Sequence, residues 1–268
     1  MDQLQLPATF PGVTGQVITA LQLFIAATSY SVETNAKTRA QYSKFSRAND
    51  KTTTTWPSRV AMMIIYTPAF LASAAFLIMG MYGVKSVPLL SLATAFCCIQ
   101  FAKRCLEVMF LHKYSGRTDK GTPTQISVYY TLVTVLIAYA SGSSGHDASI
   151  QMISVGTALF VVGIIGNFYH HYLLANLRSN SSTKAESKKY VAPRGGLFSF
   201  VATPHYLFEL IGWLGIAIVS NHLNSYLVFA SMTSYLFGRA VAQNEWNRLK
   251  FDEKEWPLDR KNMIPFIF

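Results

Sequence analysis

Apolar stretches of roughly 17 to 25 residues, each long enough to cross a hydrocarbon core of about 30 Å, recur along the whole chain. Seven can be drawn, at Gly15–Ser31, Val60–Tyr82, Val87–Phe110, Ile126–Ser141, Ser149–Leu174, Val201–Ser220 and Leu223–Ala242. An α-helix satisfies its own backbone groups where no water can reach them, so such stretches predict spanning helices. The pattern predicts an all-α, polytopic membrane protein with about seven transmembrane helices, organised as one integral membrane domain over residues 1–268. A polar run from Lys188 to Glu209 interrupts it and contains Gly195-Gly196-Leu197-Phe198. Irregular backbone beside a membrane must line a cavity or pack against protein. A site at the membrane face is therefore expected there.

Composition agrees, with 51% hydrophobic residues and only 13% charged among 268, which excludes an ordinary water-soluble domain. The formal net charge of +10 would fit nucleic acid or an anionic lipid surface, and the placement of the charges decides between them. Lysines and arginines cluster after the first, third, fifth and seventh stretches, accounting for 20 of the 23, whereas Lys85 alone lies on the opposite side. By the positive-inside rule the N-terminus is lumenal or external and the C-terminus cytosolic. The basic excess thus reports topology, and no nucleic-acid partner is required. No basic region precedes the first stretch and no clear cleavage site follows it, so that span is expected to be retained. Cys97, Cys98 and Cys105 share one apolar stretch without metal-ligand spacing and fit buried small hydrophobes. Asn180-Ser181-Ser182 matches a glycosylation acceptor but falls on the expected cytosolic side, where it stays unmodified.

Polar residues inside the spans carry the functional information, since they are costly at membrane depth and face the bundle interior. Asn167, His171 and Arg178 lie within about 40° of one another around a helix, a stripe running from inside the fifth span to its basic end. An anion entering from the cytosol would meet an amide, an imidazole and a guanidinium in turn. The alternative is a snorkelling Arg178 with two satisfied polar residues; His170 points off the stripe. A second stripe, His205, Glu209 and Trp213, follows Pro204, a residue suited to a helix first turn. It sets His205 and Tyr206 at a helix N-terminus that favours phosphate, against the alternative of a structural His-Glu pair. In the third span Lys103 and Glu107 can neutralise each other at i, i+4, leaving Arg104 as the more suggestive charge. No GxGxxG after a strand, Walker lysine loop, HExxH or GxSxG turn occurs. No metal is expected. What remains is a basic, aromatic-lined cavity among helices, suited to a phosphate-bearing cofactor and a lipophilic substrate.

Tyr190-Val191-Ala192-Pro193-Arg194-Gly195-Gly196-Leu197-Phe198, then Pro204-His205-Tyr206-Leu207-Phe208-Glu209, Trp213 and the terminal Ile264-Pro265-Phe266-Ile267-Phe268 resemble the C-terminal region of the steroid 5α-reductase (3-oxo-5α-steroid 4-dehydrogenase) family. The similarity is dense over residues 163–268. Lys103-Arg104-Cys105-Leu106-Glu107-Val108-Met109-Phe110-Leu111-His112 and Gly166-Asn167-Phe168 with His171 are more similar to trans-2-enoyl-CoA reductases of the same superfamily. The Gly-Gly-Leu-Phe run and the lack of an extra N-terminal domain favour the steroid branch. The resemblance implies a seven-helix oxidoreductase of the endoplasmic reticulum membrane, acting in steroid and lipid metabolism. It would use NADPH to reduce a carbon–carbon double bond conjugated to a carbonyl, with the cofactor cavity on the cytosolic side and the steroid entering from lipid. It carries cofactor contacts to Arg104, Asn167, Arg178, Tyr190, His205, Glu209, Trp213 and Arg239, with His171 beside them. His171 and Ala175 depart from the steroid pattern, which has an acidic and a basic residue there. The Glu and Tyr that hold the steroid ketone in that branch align with Tyr66 and Phe101.

Hydride addition at the β-carbon drives negative charge onto the carbonyl oxygen, so a hydrogen-bond donor must be poised there and a proton must reach the α-carbon. A phenol can do both. Tyr66, two residues before Pro68 in a helix that the proline is expected to bend or loosen, is the candidate; packing is its alternative role, and Tyr206 competes. The leading expectation is reduction of the Δ4 bond of 3-oxo-steroids. Reduction of trans-2-enoyl-CoA in very-long-chain fatty acid elongation is the alternative. A non-enzymatic sterol-binding or transport protein is the third.

Overall fold

The computed structural model describes residues 7–42, 45, 54–82, 91–114, 116–143, 148–177 and 190–268. Among them seven α-helices form the bundle: α1 (Gly12–Thr34), α2 (Ser58–Met81), α3 (Leu92–Leu106), α4 (Gly121–Ser143), α5 (Ile150–Leu177), α6 (Pro204–Ser220) and α7 (Leu223–Lys250). Gly12–Thr34, Ser58–Met81, Gly121–Ser141 and Ile150–Leu177 are long and apolar enough to cross a membrane, and Pro204–Ser220 is a shorter apolar helix. This is a multi-pass membrane protein. Large apolar side chains stand exposed along α1, α2, α4 and α5, as a lipid-facing surface requires.

Helix ends follow local chemistry. The Ser91 side chain accepts the Thr94 N–H at 3.0 Å and starts α3, while Asp119 accepts that of Thr122 at 2.8 Å ahead of α4, a pair of N-terminal caps. α6 begins at Pro204 and not at Val201, because Ala202 and Thr203 donate their amides to Lys261 and Asn262 of the C-terminal segment, at 2.9 and 3.0 Å. Asn221 takes a left-handed conformation, φ 44°, and turns the chain directly into α7. That last helix runs eight residues past its apolar stretch, to Lys250. Its polar end is held by Asn244, which donates to Arg260 O and Asn262 Oδ1 at 2.9 and 2.8 Å and accepts from Trp256 at 2.8 Å.

Three further features depart from the expectation. A two-stranded antiparallel ribbon, β1 (Thr55–Pro57) with β2 (Arg117–Asp119), clasps the starts of α2 and α4. Its strands lie far apart in the chain, so no local alternation announces it. α2 continues through Pro68 without a break; the cost of the missing amide falls on the Ile64 carbonyl. At the end of α3 the backbone widens into a π-helical turn, Glu107–Leu111, a distortion frequent at functional sites.

α5 packs on α6, α1 on α7, and α2 on α3 and α4. The α5–α6 approach is close enough that a Cβ on Gly163 would lie 2.4 Å from the Gly212 nitrogen, a spacing only glycine allows.

Candidate active site

The ends of the helices that precede or follow the basic loops gather around a cavity of about 430 Å³. α2 contributes Ser58, Met62 and Tyr66, α3 Arg104, α4 Tyr130, α5 His171, α6 His205, Tyr206 and Glu209, and α7 Tyr235 and Arg239. The two polar stripes meet here. Asn167 Nδ2 donates to the His205 carbonyl at 2.8 Å, and the rings of His171 and His205 are 5.5 Å apart.

Arg104 is the hub. Its Nη2 donates to the Tyr66 hydroxyl at 2.7 Å and its Nη1 pairs with Glu107. The imidazole of His171 lies within hydrogen-bond reach of both, with Nδ1 2.9 Å from Arg104 Nη1 and 3.0 Å from Glu107 Oε2. Lys103 donates to the other Glu107 oxygen at 3.1 Å and to Asn167 Oδ1. Glu107 thus engages both cations, and Arg104 is not left over by a Lys103–Glu107 pair as the helical spacing alone implies. The guanidinium also covers the Tyr66 ring, 4.7 Å from its centre. With its oxygen accepting from Arg104, Tyr66 keeps its own hydroxyl hydrogen for another partner. Glu107, His112 and His171 bring ligand-type atoms within 4.8 Å of one another, but Lys103 and Arg104 already occupy both oxygens of Glu107.

Asn167 and Trp213 stand behind the wall. The side-chain amide of Asn167 accepts from Lys103 on its oxygen and donates from its nitrogen to the His205 carbonyl, and Trp213 is buried edge-on to Phe101, 6.1 Å between rings. Tyr190 lines the mouth and meets Trp246 at 4.8 Å. Arg239 lines the cavity, yet its guanidinium is bound to Glu33 at 2.5 Å, to the carbonyls of Ala40 and Tyr42 at 2.9 and 3.2 Å, and over the Tyr42 ring at 4.1 Å. It therefore ties the segment after α1 across the mouth. Arg178 lies outside the described residues, as do Lys85 and Asn180.

Glu33, Tyr42 and His170 were not singled out by spacing. His170 accepts the Leu197 amide on Nε2 at 3.2 Å and has Nδ1 2.7 Å from the Gly166 carbonyl, so it pins the Gly195–Gly196 turn to α5. Both glycines have positive φ, 86° and 51°, conformations that side-chain-bearing residues avoid. The signal for Glu33 was an acidic residue at the basic end of an apolar stretch. For His170 it was an imidazole buried on the side of α5 away from the first stripe.

A family model described as 3-oxo-5-alpha-steroid 4-dehydrogenase matches residues 124–268, more than half of the chain. The chain belongs to that family. Among its relatives, a very-long-chain enoyl-CoA reductase of Dictyostelium discoideum is 29% identical over 190 residues, covering 69% of this chain and 61% of that protein. A 3-oxo-5-alpha-steroid 4-dehydrogenase 1 of Rattus norvegicus is 39% identical over 113 residues, 42% of this chain and 40% of its own length. A steroid 5-alpha-reductase of Solanum lycopersicum is 30% identical over 162 residues, 58% and 60%. The aligned part of the chain thus spans 40% to 61% of the length of these three curated relatives. Both resemblances drawn from the motifs are present among them.

Proposed function

We propose that the protein is an integral membrane reductase that uses NADPH to saturate a carbon–carbon double bond conjugated to a carbonyl, the Δ4 bond of a 3-oxo-steroid. The observation that carries this is a buried phenol, Tyr66, held by the Arg104 guanidinium inside a cavity whose charged lining is dominated by cations. Arg104, Lys113, Arg117 and Arg239 line it against Glu209 as the single carboxylate among the described lining residues. Arg104 and Arg239 face their own carboxylates, Glu107 and Glu33, so Lys113 and Arg117 are the lining cations assigned to a ligand bearing phosphates, and aromatic groups at the mouth, Tyr190, Trp246 and Phe251, suit flat rings. Bound there, NADPH would supply a hydride to the β-carbon.

Tyr66 directs its hydroxyl hydrogen to the carbonyl oxygen as negative charge builds there, and Arg104 stabilises the phenolate left when that proton is given up. Glu107 and His171 hold Arg104 in place. Tyr206, the second candidate phenol, lies 4.3 Å ring to ring from His205 and borders the same space. The direct cofactor contacts are assigned to His205, Glu209, Tyr190 and His171, and to Arg178, which lies outside the described residues; Asn167 and Trp213 act by fixing the wall. Arg239 acts by holding residues 40–42. A cytosolic cavity and C-terminus rest on the basic clusters under the positive-inside rule, seven spans on the apolar stretches, and residence in the endoplasmic reticulum on the resemblance to the family.

One observation favours a second reading, reduction of trans-2-enoyl-CoA: the alignment with the Dictyostelium enoyl-CoA reductase extends over 69% of this chain, against 42% for the rat steroid enzyme. Purified protein given NADPH and either a 3-oxo-Δ4-steroid or a trans-2-enoyl-CoA, with products read by mass spectrometry, separates the two. Reduction of the enoyl-CoA alone ends the steroid assignment.

A further inference from the structure

A cleft of about 540 Å³ lies next to the polar cavity, between the first half of α1, the middle of α4 and the start of α7. Phe10, Ile18, Leu136, Tyr139 and Val228 form its walls. α1 packs along α7 and barely touches α4, which leaves one long side of the cleft open where lipid would lie. Leu21 and Leu132, 58% and 62% exposed, mark that rim.

Neighbouring residues of α4 and α7 line the two spaces. Tyr129 borders the cleft and its neighbour Tyr130 the polar cavity; Ser231 borders the cleft and Tyr235, about one turn further along α7, the cavity. A hydrogen bond joins Tyr129 and Ser231 at 2.8 Å, with Ser231 in turn donating to the Val228 carbonyl at 2.9 Å. Tyr130 stacks against Tyr66 with ring centres 6.0 Å apart. Rotating Tyr129 away from Ser231 would cost this one hydrogen bond.

Of the polar side chains on the cleft wall, Gln22, Tyr129 and Ser231 are engaged within the protein, while Thr14 and Tyr139 are exposed. Gln22 donates to Asn224 O at 3.0 Å and accepts from Asn224 Nδ2 at 2.6 Å, and Tyr129 and Ser231 satisfy each other. A hydroxylated occupant would find no partner among the engaged groups and would lose its hydration there for nothing. Hydrocarbon suits the space.

We infer that the cleft receives the hydrocarbon tail of the substrate while its enone head lies at Tyr66, so that the preferred substrates are enones carrying a long apolar tail. The inference rests on the function proposed above. The tail chemistry is common to two sources, a sterol side chain and an acyl chain.

The test compares kcat/KM within two pairs: cholest-4-en-3-one against the tail-less androst-4-ene-3,17-dione, and trans-2-hexadecenoyl-CoA against trans-2-hexenoyl-CoA. The pair that is reduced names the source. Wild-type protein is expected to prefer the tailed member. Ile18→Trp and Leu136→Trp, which fill the cleft from opposite walls, lower the tailed-to-short ratio at least about tenfold, equivalent to losing the burial of roughly two methylenes. Leu71→Trp, on an exposed part of α2 away from the cleft, leaves the ratio unchanged. A ratio that stays put in both cleft variants, with the short substrate still reduced, overturns the tail assignment and spares the reductase. Absence of reduction in every pair overturns the reductase and the tail assignment together.

Discussion

Tyr66 and Arg104 form a bond between α2 and α3 that neither helix specifies alone. The phenol accepts from a guanidinium that is itself fixed by Glu107 and His171, which is the arrangement a proton donor to an enolate oxygen needs: a free hydrogen outward and a cation behind. Tyr66→Phe removes the hydrogen and leaves the aromatic wall. It is expected to lower turnover by about 10²–10⁴-fold, the range for a positioned acid, while NADPH affinity measured by fluorescence titration stays within about threefold. Equal turnover in the variant removes Tyr66 from the mechanism, and the same loss in Tyr206→Phe alone transfers the role there. Glu33 and Arg239 give a second residue-level test, since both are about 1% exposed and 206 positions apart in the chain. Glu33→Gln leaves a buried guanidinium without its counter-charge, a change that costs about 3–5 kcal/mol, seen as a lowered unfolding midpoint in detergent. Adding Arg239→Gln to it recovers part of the loss; a midpoint unmoved by Glu33→Gln rules out the pair as the tie across the mouth.

Helices were legible because lipid demands long uninterrupted apolar runs, and the seven stretches drawn from hydropathy fall on α1 through α7. Their ends were less so. α7 outruns its apolar stretch because Asn244 and Trp256 pair with each other and with the C-terminal segment, contacts that no window centred on the helix contains. β1 and β2 are three residues each and pair across about 60 positions, and α2, packed on α3 and α4, continues through Pro68. The two stripes on α5 and α6 were readable from i, i+4 spacing, but that spacing cannot say that Asn167 turns into the wall while His171 faces the cavity. Nor could it reveal that Arg239 is bound to Glu33. The α5–α6 seam offers a direct test at this level. Gly163→Val forces two backbones apart, so an overpacking cost of about 1–3 kcal/mol is expected, with weaker NADPH binding because the Asn167–His205 bond spans that seam. Unchanged stability and binding would mean that the seam does not position the site.

The whole bundle is polarised. The helix ends that flank the basic loops, the polar cavity and the irregular Gly-Gly-Leu-Phe segment share one end, while the apolar cleft reaches away from it between α1, α4 and α7. Such polarity matches a reaction in which an anionic, water-soluble cofactor and a lipid-borne enone approach from different phases. It also predicts orientation. In sealed microsomes, Lys254→Cys should react with a membrane-impermeant maleimide, and Asn221→Cys should react only after permeabilisation; the reverse pattern would invert the assigned topology. Family membership and the geometry together direct attention to one experiment, incubation of the purified protein in lipid nanodiscs with NADPH deuterated at the transferred hydrogen and a 3-oxo-Δ4-steroid, followed by mass spectrometry. The account predicts a saturated 3-oxo-steroid carrying one deuterium on the carbon β to the ketone; recovery of unchanged steroid, under conditions in which the protein remains folded, would contradict it.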